Sequence, residues 1–169
     1  MKKFIPLLFV CLMASACASA HRSYVSEPAA AVFSNESFDA SLKPIMRDGR
    51  SGSATHVRSF KLTIVNKTDK PIELVWDKTS YLQGDARRGG FIYHGIPYKD
   101  KDLPMLPSVI PPWSVFSKSI FPSVLIQYTG PYSDWKLLDM KPGKHGAMVT
   151  IRSGERETCA KLAVTIEER

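Results

Sequence analysis

The chain has 169 residues, of which 44% are hydrophobic and 23% charged, the balance of a folded globular domain and not of a disordered, collagenous or multi-span membrane protein. Its 12 prolines and 10 glycines leave little room for long helices, because each proline removes a backbone donor and fixes its own φ, so a helix bundle is excluded. A formal net charge of +7, from 23 Lys and Arg against 16 Asp and Glu, points to a negative partner or surface without naming one.

The first residues carry an address. Lys2 and Lys3 make a basic start, an apolar stretch runs from Phe4 to about Ala14, and the small residues Ala14, Ser15 and Ala16 precede Cys17. The stretch is shorter than the ~20 apolar residues a permanent anchor needs and has the layout of a secretory signal peptide. Two processing routes compete. Ala14-Ser15-Ala16-Cys17 resembles the lipobox of bacterial lipoproteins, with Ala14 where leucine is commonest, while Ala18-Ser19-Ala20 before His21 fits an ordinary signal peptidase site.

The lipobox is the reading preferred, with residues 1–16 as signal peptide. The resemblance covers only residues 1–17. It implies that the Cys17 thiol receives a diacylglycerol and the freed amine a third acyl chain, such as palmitate, which makes membrane anchoring effectively permanent. The lack of an aspartate after Cys17 resembles lipoproteins sorted to the outer membrane, here facing the periplasm. The alternative is a soluble periplasmic or secreted chain cut after Ala20. Export argues against nucleic acid as a partner. Cys11 leaves with the signal, so with Cys17 acylated only Cys159 remains and no intramolecular disulfide can form.

Residues 17–30 read as a lipidated tether of small and polar side chains, and residues 31–169 as one domain. A strand is expected over 33–42 and a loop over 47–53. Phe60, Leu62 and Ile64 then alternate with Lys61, Thr63 and Val65, turn chemistry fills 66–71, and Ile72, Leu74 and Trp76 alternate with Glu73, Val75 and Asp77. Weaker strands are expected over 91–96, 114–121 and 124–128. At the C-terminal end Ala147, Val149 and Ile151 share one face and Ala160, Leu162, Val164 and Ile166 another, on either side of a turn at 153–156, which predicts a β-hairpin.

About eight short strands at near-regular spacing predict an all-β fold, a single antiparallel two-sheet β-sandwich. The pattern over roughly residues 33–167 resembles the small immunoglobulin-like sandwiches of bacterial envelope lipoproteins. It lacks the Cys, Trp, Cys spacing of antibody domains, since Trp76 has no flanking cysteine pair. Such folds host many functions.

Three segments are candidate binding sites. Arg87 and Arg88, before Gly89-Gly90 and followed by Tyr93 and Tyr98, form a cationic knuckle suited to carboxylates or phosphates. The segment 97–113, ending at Trp113, holds five prolines interleaved with Leu103, Met105, Leu106, Val109 and Ile110; a loop this long is either a stiff binding element or a crossover whose apolar residues cover the open end of the sandwich. Tyr128, Tyr132 and Trp135 surround Gly130-Pro131 and Asp134, either as a sugar platform or as an aromatic end-cap.

Catalytic and metal signals are weak. His21, His56, His94 and His145 stand in no zinc spacing, no nucleophile elbow or phosphate loop occurs, and strand parity puts Cys159 beside Lys161 on the face opposite Leu162. Asp100 and Asp102 flank Lys101 as a solvated loop, and Glu155 and Glu157 flank Arg156 in a turn. The matches Asn35-Glu36-Ser37 and Asn66-Lys67-Thr68 to a glycosylation acceptor are accidental in a bacterial lipoprotein.

The sequence therefore points to a non-enzymatic, lipid-anchored binding or assembly module without metal or cofactor. Its expected partners are the membrane, through the anchor, and an envelope protein, peptidoglycan or lipopolysaccharide. Two alternatives stay open: a small periplasmic or surface hydrolase with an assembled site, using His94 or His145 beside a carboxylate, and a carbohydrate-binding module using exposed, coplanar Tyr132 and Trp135.

Overall fold

A computed structural model describes residues 23–47, 56–130 and 135–169. Among them the strands are β1 (Tyr24–Glu27), β2 (Ala31–Ser34), β3 (Phe38–Arg47), β4 (His56–Asn66), β5 (Ile72–Leu74), β6 (Ser80–Gln83), β7 (Ala86–Arg87), β8 (Phe91–Ile92), β9 (Ser108–Ile110), β10 (Val115–Pro122), β11 (Ile126–Tyr128), β12 (Trp135–Leu137), β13 (Gly143–Ser153) and β14 (Arg156–Glu168). The chain is all-β with antiparallel sheets, as the alternation predicts.

One sheet runs β1-β14-β13-β5-β9, with β6 on β13 and β7 on β6; a second runs β2-β3-β4-β10-β8; β11 and β12 form a small third. The inner faces of the first two meet. Phe38, Ala40, Leu42, Phe60, Leu62 and Ile64 come from one, and Leu74, Tyr81, Ala147, Val149, Leu162 and Val164 from the other, in a single buried cluster. Each of the larger aliphatic and Phe side chains withdrawn from water is worth ~1.5–3 kcal/mol, which suits a core with no disulfide among the described residues.

The C-terminal hairpin is the longest ladder, from Gly143↔Ile166 to Ser153↔Arg156. It turns through Gly154 and Glu155, so the expected turn at 153–156 is one residue tighter at each side. Ile72↔Ile110 and Phe38↔Asn66 lie at the hairpin-turn end of the sandwich, while Ser23, whose N–H donates to the Arg169 carbonyl at 2.9 Å, lies at the other.

Fourteen strands among the described residues replace the expected eight or so. One reason is local side-chain competition: Asn35 Oδ1 accepts the N–H groups of Ser37 and Phe38, each at 2.8 Å, and splits the run expected over 33–42 into β2 and β3. Another is that β7, β8, β9, β11 and β12 are two or three residues long, too short to show a period. The sheet also takes in Tyr24–Glu27, which pairs with β14 ahead of the expected domain start at Ala31.

The strand expected through Asp77 stops at Leu74. Past Leu74 the chain leaves the ladder and turns through a 3-10 segment at Trp76–Lys78, and both Val75 and Trp76 are buried there. The Thr79 hydroxyl donates to the Val75 carbonyl at 2.8 Å and locks that turn. No helix of the described residues is long and apolar enough to cross a membrane.

Candidate functional site

The turn at Trp76–Lys78 opens a groove of about 510 Å³. Its floor is Trp76, Asp77, Thr79 and Ser80; one wall is Gly89, Gly90, Phe91 and Ser123, and the roof is the proline-rich loop from Lys101 to Met105. The loop is pinned at its rim, where the Met105 N–H donates to Asp77 Oδ1 at 2.8 Å, and beyond it the Trp76 indole N–H donates to Ser108 Oγ at 2.9 Å. The wall is pinned by the Ser123 N–H to the Gly90 carbonyl, 3.0 Å, and by the Tyr81 N–H to the Gly89 carbonyl, 2.8 Å.

Gly89 is favoured there on two counts. Its φ is +107°, which disfavours any side chain, and a Cβ would stand 3.1 Å from Val124 Cγ1 and 3.2 Å from Ser123 Oγ. Behind the groove the Trp76 ring packs on Tyr93, centroids 5.4 Å apart, and on Phe116 at 6.4 Å. The groove's charges are the carboxylates of Asp77 and Asp102 and the ammonium of Lys101, which pairs with Asp102.

One polar group in the groove is unusual. Ser80 Oγ is the one buried side-chain oxygen or nitrogen among the described residues without a hydrogen-bond partner. Thr79, its neighbour, is fully used: its hydroxyl also accepts the Thr150 N–H at 3.2 Å. A buried hydroxyl left unpaired costs ~1–3 kcal/mol.

The proline-rich segment is the crossover expected of it. It crosses from β8 in one sheet to β9 in the other, and Met105 and Ile110 pack on the core. Yet Leu103, Leu106 and Val109 stay exposed, Leu106 at 88%, so the covering role accounts for only part of its apolar surface.

Tyr93 is half-buried, with Lys118 Nζ 3.4 Å from its ring centroid. Tyr98 is half-buried in a 3-10 turn and tilts against Tyr128 at 5.3 Å. Arg87 and Arg88 are both exposed, in and just beyond β7. Beside them Asp85 binds Lys144 and Lys161, each at 3.2 Å, and those bonds, to Lys161 first, hold its carboxyl below the usual range. The knuckle therefore adjoins a surface charge cluster and lies outside the groove.

Trp113 is 70% exposed and sits at φ +54°, the one non-glycine among the described residues in the left-handed region. That conformation costs ~1–2 kcal/mol for a residue with a Cβ. Buried Asn66 holds the segment: its Nδ2 lies 3.1 Å from the Ile110 carbonyl, 2.9 Å from that of Pro111 and 2.8 Å from that of Lys70, and its Oδ1 accepts the Thr68 N–H at 2.9 Å.

Trp135 is half-buried against His94 at 6.1 Å and Phe121 at 5.9 Å, and its indole N–H donates to the Ile96 carbonyl at 3.3 Å. This packs it in a small second cluster with Ile92, Phe121 and Ile126. Cys17, His21, Tyr132 and Asp134 lie outside the described residues. His94 is exposed and edge-on to Phe121; His145 is buried against Tyr81; His56 contacts Asp139 at 3.1 Å on the surface. Cys159 is exposed, as parity placed it. No three of His, Cys, Asp and Glu gather around a metal-sized space among the described residues.

Sequence reading missed Asp77, Ser80 and Ser123. No local signal marked them: the 3-10 turn at Trp76–Lys78 that brings Asp77 and Ser80 to the groove shows only in the structure. None of the protein-family models, curated proteins or solved structures compared with the chain matches it.

Proposed function

We propose that this chain is a non-enzymatic binding or assembly module of a bacterial envelope, an immunoglobulin-like sandwich held at the outer membrane by acyl chains on Cys17, whose ligand occupies the groove beneath the proline-rich loop. A recess of about 510 Å³ lined by the Asp77 carboxylate and the Lys101–Asp102 pair carries the reading. Asp77 keeps one carboxylate oxygen beyond the Met105 contact, so the groove suits a ligand that presents hydrogen-bond donors.

A photo-reactive benzoyl-phenylalanine in place of Leu103, at the rim, tests the groove in the native cell, with the same group at Val32 on a remote strand as control. Discrete cross-linked species from position 103, lost when Asp77→Asn is added, support the reading. Equal products from both positions, or none from 103, overturn it. Intact-mass measurement tests the anchor separately: the mature chain carries acyl mass that Cys17→Ser abolishes.

A further inference from the structure

The groove leaves one feature of the opposite sheet unexplained. β10 pairs with β4 over Val115↔Val65 to Ile120↔Phe60, whereas β8 covers only Phe121 and Pro122 on its other side. Two bonds fix the phase of the ladder. The Asn66 N–H donates to the Ser114 carbonyl at 2.9 Å, and the Lys67 N–H donates to the Ser37 carbonyl at 2.9 Å. In an antiparallel pair the bonded positions alternate, so Phe116, Lys118 and Ile120 turn their backbone groups to β4. Those of Val115, Ser117 and Ser119 point away from it, and nothing among the described residues pairs with them.

The side chains of this edge are selective. Phe116 and Lys118 share the inner face with Ile120, opposite buried Ile64 and Leu62. Lys118 is thus an inward-facing charge on an edge strand; it rests on the Tyr93 ring and makes no ion pair with a described carboxylate. An inward charge repels an apolar strand laid beside it, and a carboxylate directly across converts that repulsion into a pair. A second copy of β10 does not supply one: antiparallel pairing about Ser117 brings two Lys118 groups into one seam with only Phe116 across from each.

Trp113 stands immediately before this edge, its indole 70% exposed, with Val115 beside it 64% exposed. Pro111, Pro112 and the Asn66 bonds hold the tip rigid, so little ordering remains to be lost on contact. Exposed, pre-ordered tryptophan is the residue type that most often anchors an interface. A strand added antiparallel to β10 passes Ser119, Ser117 and Val115 in turn and ends against Trp113.

We propose that the free edge of β10 is a strand-addition site for an extended, acid-bearing segment of a partner polypeptide, with Trp113 as its aromatic anchor. The mode is that of β-augmentation: main-chain bonds give affinity and alternate side chains give choice. The site is separate from the groove, and it stands whether or not the groove binds anything.

The probe is a ten-residue synthetic peptide of alternating Thr and Val with one central Glu, compared with versions carrying Gln or Lys at that place. Full-length protein is followed by amide hydrogen exchange. The expected result is new protection at Val115, Ser117 and Ser119, with the Glu peptide at least tenfold tighter than the Lys peptide. Ser117→Pro removes an outward N–H without touching the β4 ladder, and it weakens binding at least tenfold while the melting temperature holds. Trp113→Ala weakens binding about as much. Lys118→Glu inverts the preference to the Lys peptide, which keeps the test decisive if the proline variant fails to fold. Protection absent or falling on β9 or β1, an unchanged peptide order in Lys118→Glu, or protection of the same amides by self-association without peptide each overturns the proposal.

Discussion

The Tyr81 hydroxyl lies 2.5 Å from His145 Nδ1, and the Lys141 carbonyl lies 2.7 Å from the other ring nitrogen. A carbonyl only accepts, so Nε2 carries a proton, and burial, which favours the neutral ring, leaves Nδ1 to accept from the tyrosine. Both nitrogens are satisfied inside the core. Burial also pushes the Tyr81 hydroxyl up to about 12, so it remains a donor throughout the physiological range.

Burial holds His145 below its ordinary value of 6.5, against a smaller opposing pull from the Lys141 carbonyl. The unfolded chain takes up a proton near 6.5 while the native state does not. Stability contributed by neutral His145 is fully present above 6.5 and is lost as the pH falls below 6.5 toward the lower native value. The slope reaches ~1.4 kcal/mol per pH unit. Urea unfolding at pH 7.5 and 5.5 measures it, and His145→Gln flattens it; an equal slope in that variant would falsify the assignment.

Asn66 carries the end of the sandwich that bears Trp113. Asn66→Ala removes a donor from the carbonyls of Ile110, Pro111 and Lys70, of which the last two keep the hydroxyls of Ser114 and Thr68, and a loss of roughly 1–3 kcal/mol is expected. Asn66→Asp is worse, since a carboxylate then faces three carbonyl oxygens. Chemical denaturation ranks the two variants, and near-wild-type stability in Asn66→Asp would contradict the network.

Gly146 faces Ala163 across the hairpin, and a Cβ there would stand 2.1 Å from the Leu162 carbonyl oxygen and 2.9 Å from the Ala163 Cα. Both obstacles are backbone, which cannot swing aside. Gly146→Ala is expected to cost ~3 kcal/mol or to prevent folding, the upper range for overpacking. Soluble yield and melting temperature test this, and a fall of less than ~1 kcal/mol rules the clash out.

Ser80→Ala has the opposite expectation. Removing a buried hydroxyl that has no partner relieves its desolvation cost, so the ligand-free variant gains up to ~1 kcal/mol and melts a few degrees higher. Differential scanning calorimetry of the purified chain decides the matter. A lower melting point means that the hydroxyl is bonded in the free protein.

Parity was legible wherever the period-two rule holds over five or more residues. Phe60, Leu62 and Ile64 face inward as read, and so do Ala160, Leu162, Val164 and Ile166. The same rule puts Lys118 on the face of Phe116 and Ile120, although a lysine there reads at first as a break in the pattern. It failed at Trp76, where the chain leaves the ladder for a 3-10 turn, and at Asn35, where a side-chain oxygen competed with the ladder for backbone donors. The candidate residues Tyr93 and Trp113 do border sites of interest, but Trp135 is engaged in packing and the arginine pair lies on a separate surface.

Alternation, turn chemistry and the single cysteine left outside the N-terminal segment are properties of neighbouring residues, set by backbone geometry within a few bonds, and the sequence by itself determined them: an all-β chain with antiparallel strands, its inward faces and its C-terminal hairpin. The groove and the open edge depend on pairs far apart in the chain, such as Asp77 with Met105, Gly90 with Ser123 and Asn66 with Ser114. Only tertiary structure decided that, among the described residues, one serine hydroxyl has no partner and three residues of β10 keep their backbone groups unpaired, because whether a group is satisfied depends on what the distant chain brings to it.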